Sequence, residues 1–492
     1  MTEQSGEGMG ASGTSGSLQQ GSVQRPFTFF CITFGCKVNQ YETQAIREAW
    51  TKAGGREADA PFHADLVLVN SCAITGRAER DARNALVRLR NEAPQAVLVL
   101  TGCAARLVAG FVPRANAPRP EADNIIVQES KQDLVQPSVL ANLLAACHES
   151  GTSSASKACP PPAMQRHDLL NRPWPAMQIE QYKRSRPVLK VQDGCSHRCT
   201  YCIVPLTRGP HVSRPPETVV AEARRLLENH AEIMISGVNL GQYGRDHPEY
   251  GTFWDLLARL EEELGPEFSG RRRLRISSLE PSQLTEKACS FLARSSLVAP
   301  HLHISLQHAS SNVLKRMGRG HYSSATLTEA VARLSPAWPL MGLGADILVG
   351  FPGETAEDVD ELLRFVEETP FTYAHVFPYS RRPGTPAASF SGQLPKKEKQ
   401  ARAAAVRSVV AHRAKNFWAG QAGCSSFRLV LDAAEGNVVA GYVHGVNEYY
   451  APCYLPAGEL VQLDPEAGHK DFITVRPLGL CDKGILVSAR KA

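Results

Sequence analysis

The sequence predicts an α/β protein in three folded parts: an N-terminal parallel-sheet domain, a central partial (βα)6 barrel and a small C-terminal β-barrel. Three observations carry that expectation. Strand-like and helix-like runs alternate from residue 26 to about 148. A second alternating series of six units begins at residue 188. Beyond residue 420 only short strand-like runs remain, separated by glycine and proline.

The elements follow in order. Residues 1–25 are Gly/Ser/Gln-rich and read as a disordered leader, because such a segment buries too little apolar surface to offset its ordering entropy. In the domain 26–148, strands are expected at 27–33, 66–70, 96–101 and 125–127, with helical periodicity at 39–53, 77–91 and 132–147. The segment 149–180 is dominated by Ser, Pro and Ala to about residue 175 and reads as a linker. In the core, 181–420, strand-like runs stand at 188–192, 233–236, 274–277, 302–306, 345–349 and 373–377. Helical stretches between them include 217–230, 253–264 and 355–367, and a basic, Ala-rich helix at 396–417 ends the part. Reactive groups of such a barrel gather at the carboxyl ends of its strands. In 421–492, strands are expected at 427–432, 438–443, 449–455, 459–463 and 472–478.

A chain of 492 residues is too long for one core. Its 43% hydrophobic and 21% charged residues suit an ordinary soluble protein, and the net charge of +5 permits a polyanionic partner without requiring one. Residues 1–24 lack the apolar stretch of a secretory signal, and no apolar run is long enough to span a bilayer. The expectation is a cytoplasmic protein. Thirteen cysteines, an odd number partly gathered in one short-spaced triplet, point to metal ligation in a reducing compartment rather than to disulfides.

Residues 191–202 (VQDGCSHRCTYC) place Cys195, Cys199 and Cys202 on one loop after the first barrel strand. Three soft thiolates at such spacing suit a cubane iron–sulfur cluster with one iron left open. A structural zinc, with His197 as fourth ligand, is the alternative; zinc sites usually draw on two separated ligand pairs. Cys36, Cys72 and Cys103 each follow a strand of the N-terminal domain. In a parallel sheet those positions share one edge, so the fold rather than local spacing would assemble a second three-thiolate site. Buried structural thiols are the alternative there. Cys31, Cys147, Cys159, Cys289, Cys424, Cys453 and Cys481 lack metal spacing and read as structural. Glycine-rich loops with Gly237 and Asn239, and with Gly350 and Gly353, follow strands, where backbone can approach a ligand closely or simply turn.

The Cys195–Cys199–Cys202 string, with Tyr201 before the last cysteine, resembles the signature of the radical S-adenosylmethionine (SAM) superfamily. Residues 33–43 (TFGCKVNQYET), 236–244 (SGVNLGQYG), 275–281 (RISSLEP), 303–307 (HISLQ), 314–319 (LKRMGR), 346–354 (DILVGFPGE) and 375–385 (HVFPYSRRPGT) resemble its methylthiotransferase branch. The likeness is greatest to the group acting on N6-threonylcarbamoyladenosine in tRNA, through 37–41 and 377–385. It spans residues 27 to about 420, with His197 and Arg198 departing from the usual interior of the cysteine signature.

What the resemblance implies is specific. Cys195, Cys199 and Cys202 would hold a [4Fe–4S] cluster that binds SAM; Cys36, Cys72 and Cys103 would hold an auxiliary [4Fe–4S] cluster carrying the sulfur to be transferred. The SAM pocket would draw on Tyr201, Gly237, Asn239, Ser277, Glu280, Gln307, Arg319, Gly350 and Gly353. The clusters and SAM carry the chemistry, with no catalytic side chain expected. The partners would be tRNA and an electron donor such as flavodoxin or ferredoxin. The C-terminal barrel resembles the small TRAM-like RNA-binding module, with Tyr442, Tyr449, Tyr450 and Tyr454 to stack bases or fill the core. Lys183, Arg184, Arg186, Arg208, Arg271, Arg272, Arg273, Lys315, Arg316, Arg381 and Arg382, with Arg319, could track phosphates or form solvated faces. The rivals are the same chemistry on isopentenyladenosine or on a ribosomal-protein aspartate, and a non-catalytic iron–sulfur RNA-binding protein.

Overall fold

The computed structural model describes residues 26–105, 107, 125–149, 174, 177–180, 182, 185–432, 438–439, 441–460 and 470–489. The leader, most of the linker, Cys159, Lys183 and Arg184 lie outside them.

The N-terminal domain is a five-stranded parallel sheet, β1 (Phe27–Thr33), β2 (Gly55–Glu57), β3 (Leu66–Ser71), β4 (Val97–Gly102) and β5 (Ile125–Val127), in the order β2-β1-β3-β4-β5. Helices α1 (Lys37–Lys52), α2 (Gly76–Glu92) and α3 (Pro137–Glu149) complete it. β3 is buried along its whole length, so it reads as a continuous apolar run rather than an alternating one. α1 buries Val38, Tyr41, Ala45, Ile46 and Trp50, one helical face, while Thr75 caps α2 through the Ala78 N–H. β2, three residues long, was not expected; its pairing with β1 is too short to leave a periodic signal.

The central part strings six parallel strands with helices between them. These are β6 (Val188–Lys190), β9 (Glu232–Ser236), β10 (Arg273–Ile276), β11 (His301–Gln307), β12 (Gly342–Val349) and β13 (Tyr373–Pro378). The intervening helices are α4 (Pro216–Asn229), α5 (Phe253–Phe268), α6 (Glu286–Arg294), α7 (Ser324–Leu334) and α8 (Ala356–Glu368); α9 (Lys396–Gln421) follows. A two-residue ribbon, β7 (Gln192–Asp193) with β8 (Val212–Ser213), interrupts the first unit. The strands form two triplets, β10-β9-β6 and β11-β12-β13, joined by the isolated bridges Leu274–Val298 and Leu279–Ile304. Among the described residues nothing pairs β6 with β13, so the barrel is partial.

One hydrophobic core runs from Phe29, Tyr41 and Trp50 of the first domain through Val188 and Leu189 to the barrel interior. Met177 and Ile179, at the end of the expected linker, are buried in it. The Tyr41 hydroxyl donates to the Met177 carbonyl at 2.8 Å.

The C-terminal part is a barrel of β14 (Phe427–Leu431), β16 (Tyr442–Val446), β17 (Pro452–Pro456), β18 (Ile473–Cys481) and β19 (Gly484–Ala489). It closes through the β14–β16 pairing, with β15 (Val438–Val439) added on β16. Three expectations need correction. The run 438–443 is broken at Gly441, and 449–455 becomes strand only at Pro452, because 447–450 turns. The start of 459–463 belongs to a helical turn, Ala457–Leu460, and 461–463 lie outside the described residues. β19 was not expected.

Candidate active site

The ribbon β7–β8 pins the start of the cysteine loop, and the Cys195 N–H donates to the Gly209 carbonyl at 3.0 Å. The Thr200 N–H donates to Met317 at 2.9 Å and the Cys202 N–H to Cys199 at 3.1 Å, so the loop is held on both sides. N–H donors surround the sulfurs. The Asn239 and Gln242 amides reach Cys195 Sγ at 3.8 and 3.6 Å, and the Arg319 guanidinium reaches Cys199 Sγ at 3.6 Å. Burial, then the neighbouring Cys199 and Cys195, pushes the bare Cys202 thiol up to about 12. The free thiols are therefore protonated at neutral pH, and a metal must displace their protons. Donors aimed at sulfur favour the anionic, metal-bound form.

Several expected SAM-pocket residues meet in one network. Glu280 pairs with Arg319 at 2.9 Å, His321 at 3.2 Å and His197 at 3.3 Å. Burial opposes ionisation of Glu280, but the His197 hydrogen bond and the Arg319 charge hold its carboxyl down at about 2. Arg319 also donates to the Tyr201 hydroxyl at 3.4 Å, and the Tyr201 ring meets Phe351 edge-on at 6.4 Å. Asn239 Oδ1 accepts from the Gly241 N–H and the Gln283 amide, both at 3.1 Å. The buried Ser277 hydroxyl has no hydrogen-bond partner among the described residues, a donor left over for a ligand. Gln307, closing β11, has φ +65°, a left-handed conformation that costs a non-glycine residue about 1 kcal/mol. Such strain concentrates at functional sites.

The three expected glycines are closely packed. A Cβ on Gly350 would stand 2.5 Å from the Lys399 side chain, one on Gly353 2.5 Å from the Arg316 guanidinium, and one on Gly237 2.9 Å from Gln192. Their small size lets neighbouring side chains pack against them. His321 and Gln242 were not foreseen, although they stand two and three residues beyond the expected Arg319 and Asn239.

Cys36 stands at the N-cap of α1, Cys72 directly after β3 and Cys103 directly after β4. Because β1, β3 and β4 are adjacent, the three share the carboxyl edge of the sheet. Cys72 feels both of the others: burial pushes its thiol up to about 11, with Cys36 and Cys103 adding to it. Gly35 (φ +92°) leaves no space for a Cβ, which would lie 2.4 Å from Cys72 Sγ. The Asn39 amide donates to the Phe34 and Ser71 carbonyls at 2.9 and 3.0 Å, tying two of the loops.

Arg208 is buried beside this set, not on a phosphate-tracking surface. Its Nε donates to Cys103 Sγ at 3.0 Å, and its other nitrogens to Glu42 at 2.9 Å, Asp193 at 2.7 Å and Asn39 at 2.7 Å. Lys190 joins Glu42 and Asp193, each at 2.8 Å, and Lys131 also pairs with Glu42. Burial opposes ionisation of Glu42, but Arg208, Lys131 and Lys190 keep its carboxyl far below the usual range. A polar cavity of about 50 Å³ opens here, lined by Cys103, Glu42, Lys131 and Arg208 among others.

Most other expected surface cations are also committed. Arg186 pairs with Asp432, Arg272 with Asp471, Arg273 with Glu232 and Arg382 with Glu79. Arg316 donates to the Pro352 carbonyl at 2.9 Å. Arg271, Lys315 and Arg381 remain exposed. Tyr449 packs on Phe427 in the small barrel, and the Tyr450 ring lies 4.9 Å from His301 and 5.4 Å from Tyr373, against the central barrel. Tyr442 and Tyr454 are half-buried on β16 and β17. The described cysteines form no disulfide; Cys289 and Cys453 are buried, and Cys31, Cys147 and Cys424 pack against the cores. The Cys481 thiol donates to the Gly484 carbonyl at 3.5 Å. Among the described residues no helix is long and apolar enough to cross a membrane.

Two family models match this chain: the Radical SAM superfamily over residues 189–366, and Uncharacterized protein family UPF0004 over residues 28–114. The chain is 32% identical to the threonylcarbamoyladenosine tRNA methylthiotransferase MtaB of Bacillus subtilis, over 78% of this chain and 80% of that one. It is 31% identical to the MtaB of Thermotoga maritima, over 92% and 95%. It is 30% identical to the tRNA-2-methylthio-N(6)-dimethylallyladenosine synthase of Clostridium botulinum, over 76% and 79%.

Proposed function

The chain belongs to the radical SAM tRNA methylthiotransferases of the MtaB type, and on that premise we propose that it attaches a methylthio group to C2 of N6-threonylcarbamoyladenosine at position 37 of tRNA, using two [4Fe–4S] clusters. Membership brings SAM, one [4Fe–4S] cluster and a tRNA substrate. The reading adds that Cys195, Cys199 and Cys202 hold the SAM-binding cluster and that Cys36, Cys72 and Cys103 hold the second. It also includes a low-potential donor such as flavodoxin or ferredoxin.

The observation that carries this reading is the N–H donors and cations turned onto sulfur in both sets. Asn239, Gln242 and Arg319 serve the first, and Arg208 serves the second. When bound, the clusters and SAM supply one-electron cleavage of the sulfonium, giving a carbon radical, and the sulfur that is transferred. The protein's part is to position. Arg319 and Glu280 fix one another beside the cysteine loop, Tyr201 offers a ring face, and the Ser277 hydroxyl is an unspent donor at the end of β10. The relatives are named for two different hypermodified adenosines. The choice of the threonylcarbamoyl nucleoside rests on residues 37–41 and 377–385.

Anaerobically reconstituted protein tests the reading with SAM, dithionite and an anticodon stem-loop bearing N6-threonylcarbamoyladenosine. Cys202→Ala is expected to abolish 5′-deoxyadenosine. Cys72→Ala is expected to make it while forming no methylthio product by mass spectrometry. Methylthio product from Cys72→Ala, or no 5′-deoxyadenosine from the wild type, refutes the assignment.

A further inference from the structure

The segments that follow Cys72, Cys202 and the last barrel strand carry bare apolar side chains that the chemistry above does not use. Ile74, two residues after Cys72, is 52% exposed, and Leu206, on the helical turn Val204–Thr207 after Cys202, is 51% exposed. Phe377, near the carboxyl end of β13, is 37% exposed. These are three of the seven large apolar side chains left exposed among the described residues, too many at one place for chance scatter over the surface. One stretch of chain after β13 ties the segments together. Ser380 Oγ accepts from the Gly76 N–H at 3.3 Å, and Arg382 pairs with Glu79. A Cβ on Gly384 would lie 3.2 Å from Leu206, and the Ala387 N–H donates to the Thr200 carbonyl of the cysteine loop at 2.8 Å.

Alternate residues of a strand point to opposite faces. Val376 is buried in the core with Val406 and Val410 of α9, so Tyr373, His375 and Phe377 line the other face of β13. The Tyr373 and His375 rings lie 5.5 and 5.4 Å from His303, and the Phe377 ring lies 6.4 Å from His375. Phe377 is thus the outermost ring of the row, at the end where the strands open toward the cysteine loops. The charge beside it is lopsided. Arg77, Arg80 and Arg381 are exposed, whereas Asp81, 3.7 Å from Arg77, is the one exposed carboxylate on residues 72–83. Glu79 is buried and spent on Arg83 and Arg382. Residues 202–208 and 377–390 contain no acidic side chain.

Guanidinium groups beside a bare ring suit single-stranded nucleic acid, whose phosphates take the charge while its bases stack on apolar faces. An acidic electron-donor protein would match the charge as well, but seated here it would cover the way to the two thiolate sets that the substrate base must take. A nucleotide that leaves its stack to be modified also leaves its neighbour with one face bare, and a ring at the entrance can replace the lost contact. We propose that Phe377 stacks on the base next to the target adenosine in the tRNA loop, with Leu206 and Ile74 as an apolar rim and Arg77, Arg80 and Arg381 on the adjoining phosphates. This rests on the tRNA reading given above.

The test measures binding of a labelled anticodon stem-loop bearing N6-threonylcarbamoyladenosine to reconstituted wild type, Phe377→Ala and Phe377→Trp of matched iron content, by fluorescence anisotropy. Phe62→Ala is the control: that ring is 63% exposed but precedes β3, at the edge of the N-terminal sheet opposite Cys72. Phe377→Ala is expected to weaken binding about 5- to 10-fold, the low end for a lost stack because the ring is only partly free, while Phe377→Trp and Phe62→Ala keep it. Two further loops carry an abasic site on the 5′ or the 3′ side of the target, and one of them should bind wild type and Phe377→Ala equally. Arg381→Gln should lower the slope of log affinity against log salt by about 0.7. Unchanged binding by Phe377→Ala, or the same loss on both abasic loops, overturns the proposal and leaves the tRNA reading standing. Unchanged binding with slower flavodoxin-driven formation of 5′-deoxyadenosine overturns it in favour of the electron donor. Wild type that does not bind the intact loop overturns the tRNA reading as well.

Discussion

Replacing Arg208 with methionine removes a guanidinium of similar length that joins four partners at once. The surrounding ion pairs comprise two carboxylates, Glu42 and Asp193, and three cations, Lys131, Lys190 and Arg208. Glu129 lines the same cavity, so three carboxylates face three cations beside Cys103. Breaking a buried pair costs about 3–5 kcal/mol when it strands a charge. Here Lys131 and Lys190 still serve Glu42, and Lys190 still serves Asp193, so the lower end, about 3 kcal/mol, is expected for the metal-free protein. The second effect is on the cysteines. Arg208 donates an N–H to Cys103 Sγ, and outer partners of this kind affect metal affinity about 10- to 100-fold. Urea unfolding of metal-free protein reads the first effect; iron per chain after limiting anaerobic reconstitution reads the second. Iron should fall from about eight toward about four per chain, since each cubane holds four. Arg208→Met with full iron loading and an unshifted urea midpoint would refute the argument, because the guanidinium would then serve neither the ion pairs nor the sulfur.

Two further outcomes are expected. The folded-state value of Glu280, about 2, lies below its ordinary 4.5. Its contacts therefore contribute stability that is complete above about pH 5 and is lost as pH falls toward 2, about 3 kcal/mol in all. Glu280→Gln should flatten the pH dependence of metal-free urea unfolding between pH 3 and 6, and an unchanged slope would contradict the linkage. Tyr450, with φ +64°, forms the barrel floor, so Tyr450→Ala should destabilise by about 3 kcal/mol. Tyr450→Gly should recover about 1 kcal/mol of that by relieving the left-handed backbone. A glycine variant less stable than the alanine one in urea would exclude backbone strain at this turn.

The six barrel strands and the three N-terminal strands that precede Cys36, Cys72 and Cys103 were legible in the sequence, because each is an apolar run bounded by turn residues. The convergence of those cysteines was also legible, since adjacent parallel strands present their ends on one edge. What escaped was long-range pairing of polar side chains. Arg208 reads locally as a surface cation, yet its partner Glu42 lies 166 residues away and only the fold joins them. Tyr450 reads as a base-stacking ring or a filler of the small barrel, because the backbone turn that carries it to the central barrel, set by the Asn447 side chain accepting from the Tyr449 and Ala451 N–H groups at 3.1 and 3.0 Å, has no local signature. Gly350 and Gly353 followed strands as ligand loops do. Whether a glycine makes way for a ligand or for Lys399 and Arg316 depends on a helix and a loop whose placement the local pattern does not encode.

The shared apolar core and the buried charges between α1 and β6 hold the two cysteine edges together. Adjustment therefore falls to the nucleic acid. The target base must swing out of its stack and travel to the gap between them, at a cost of a few kcal/mol that is smallest for an unpaired nucleotide. Such a gap would favour a base at the edge of an open loop over the same base inside a duplex.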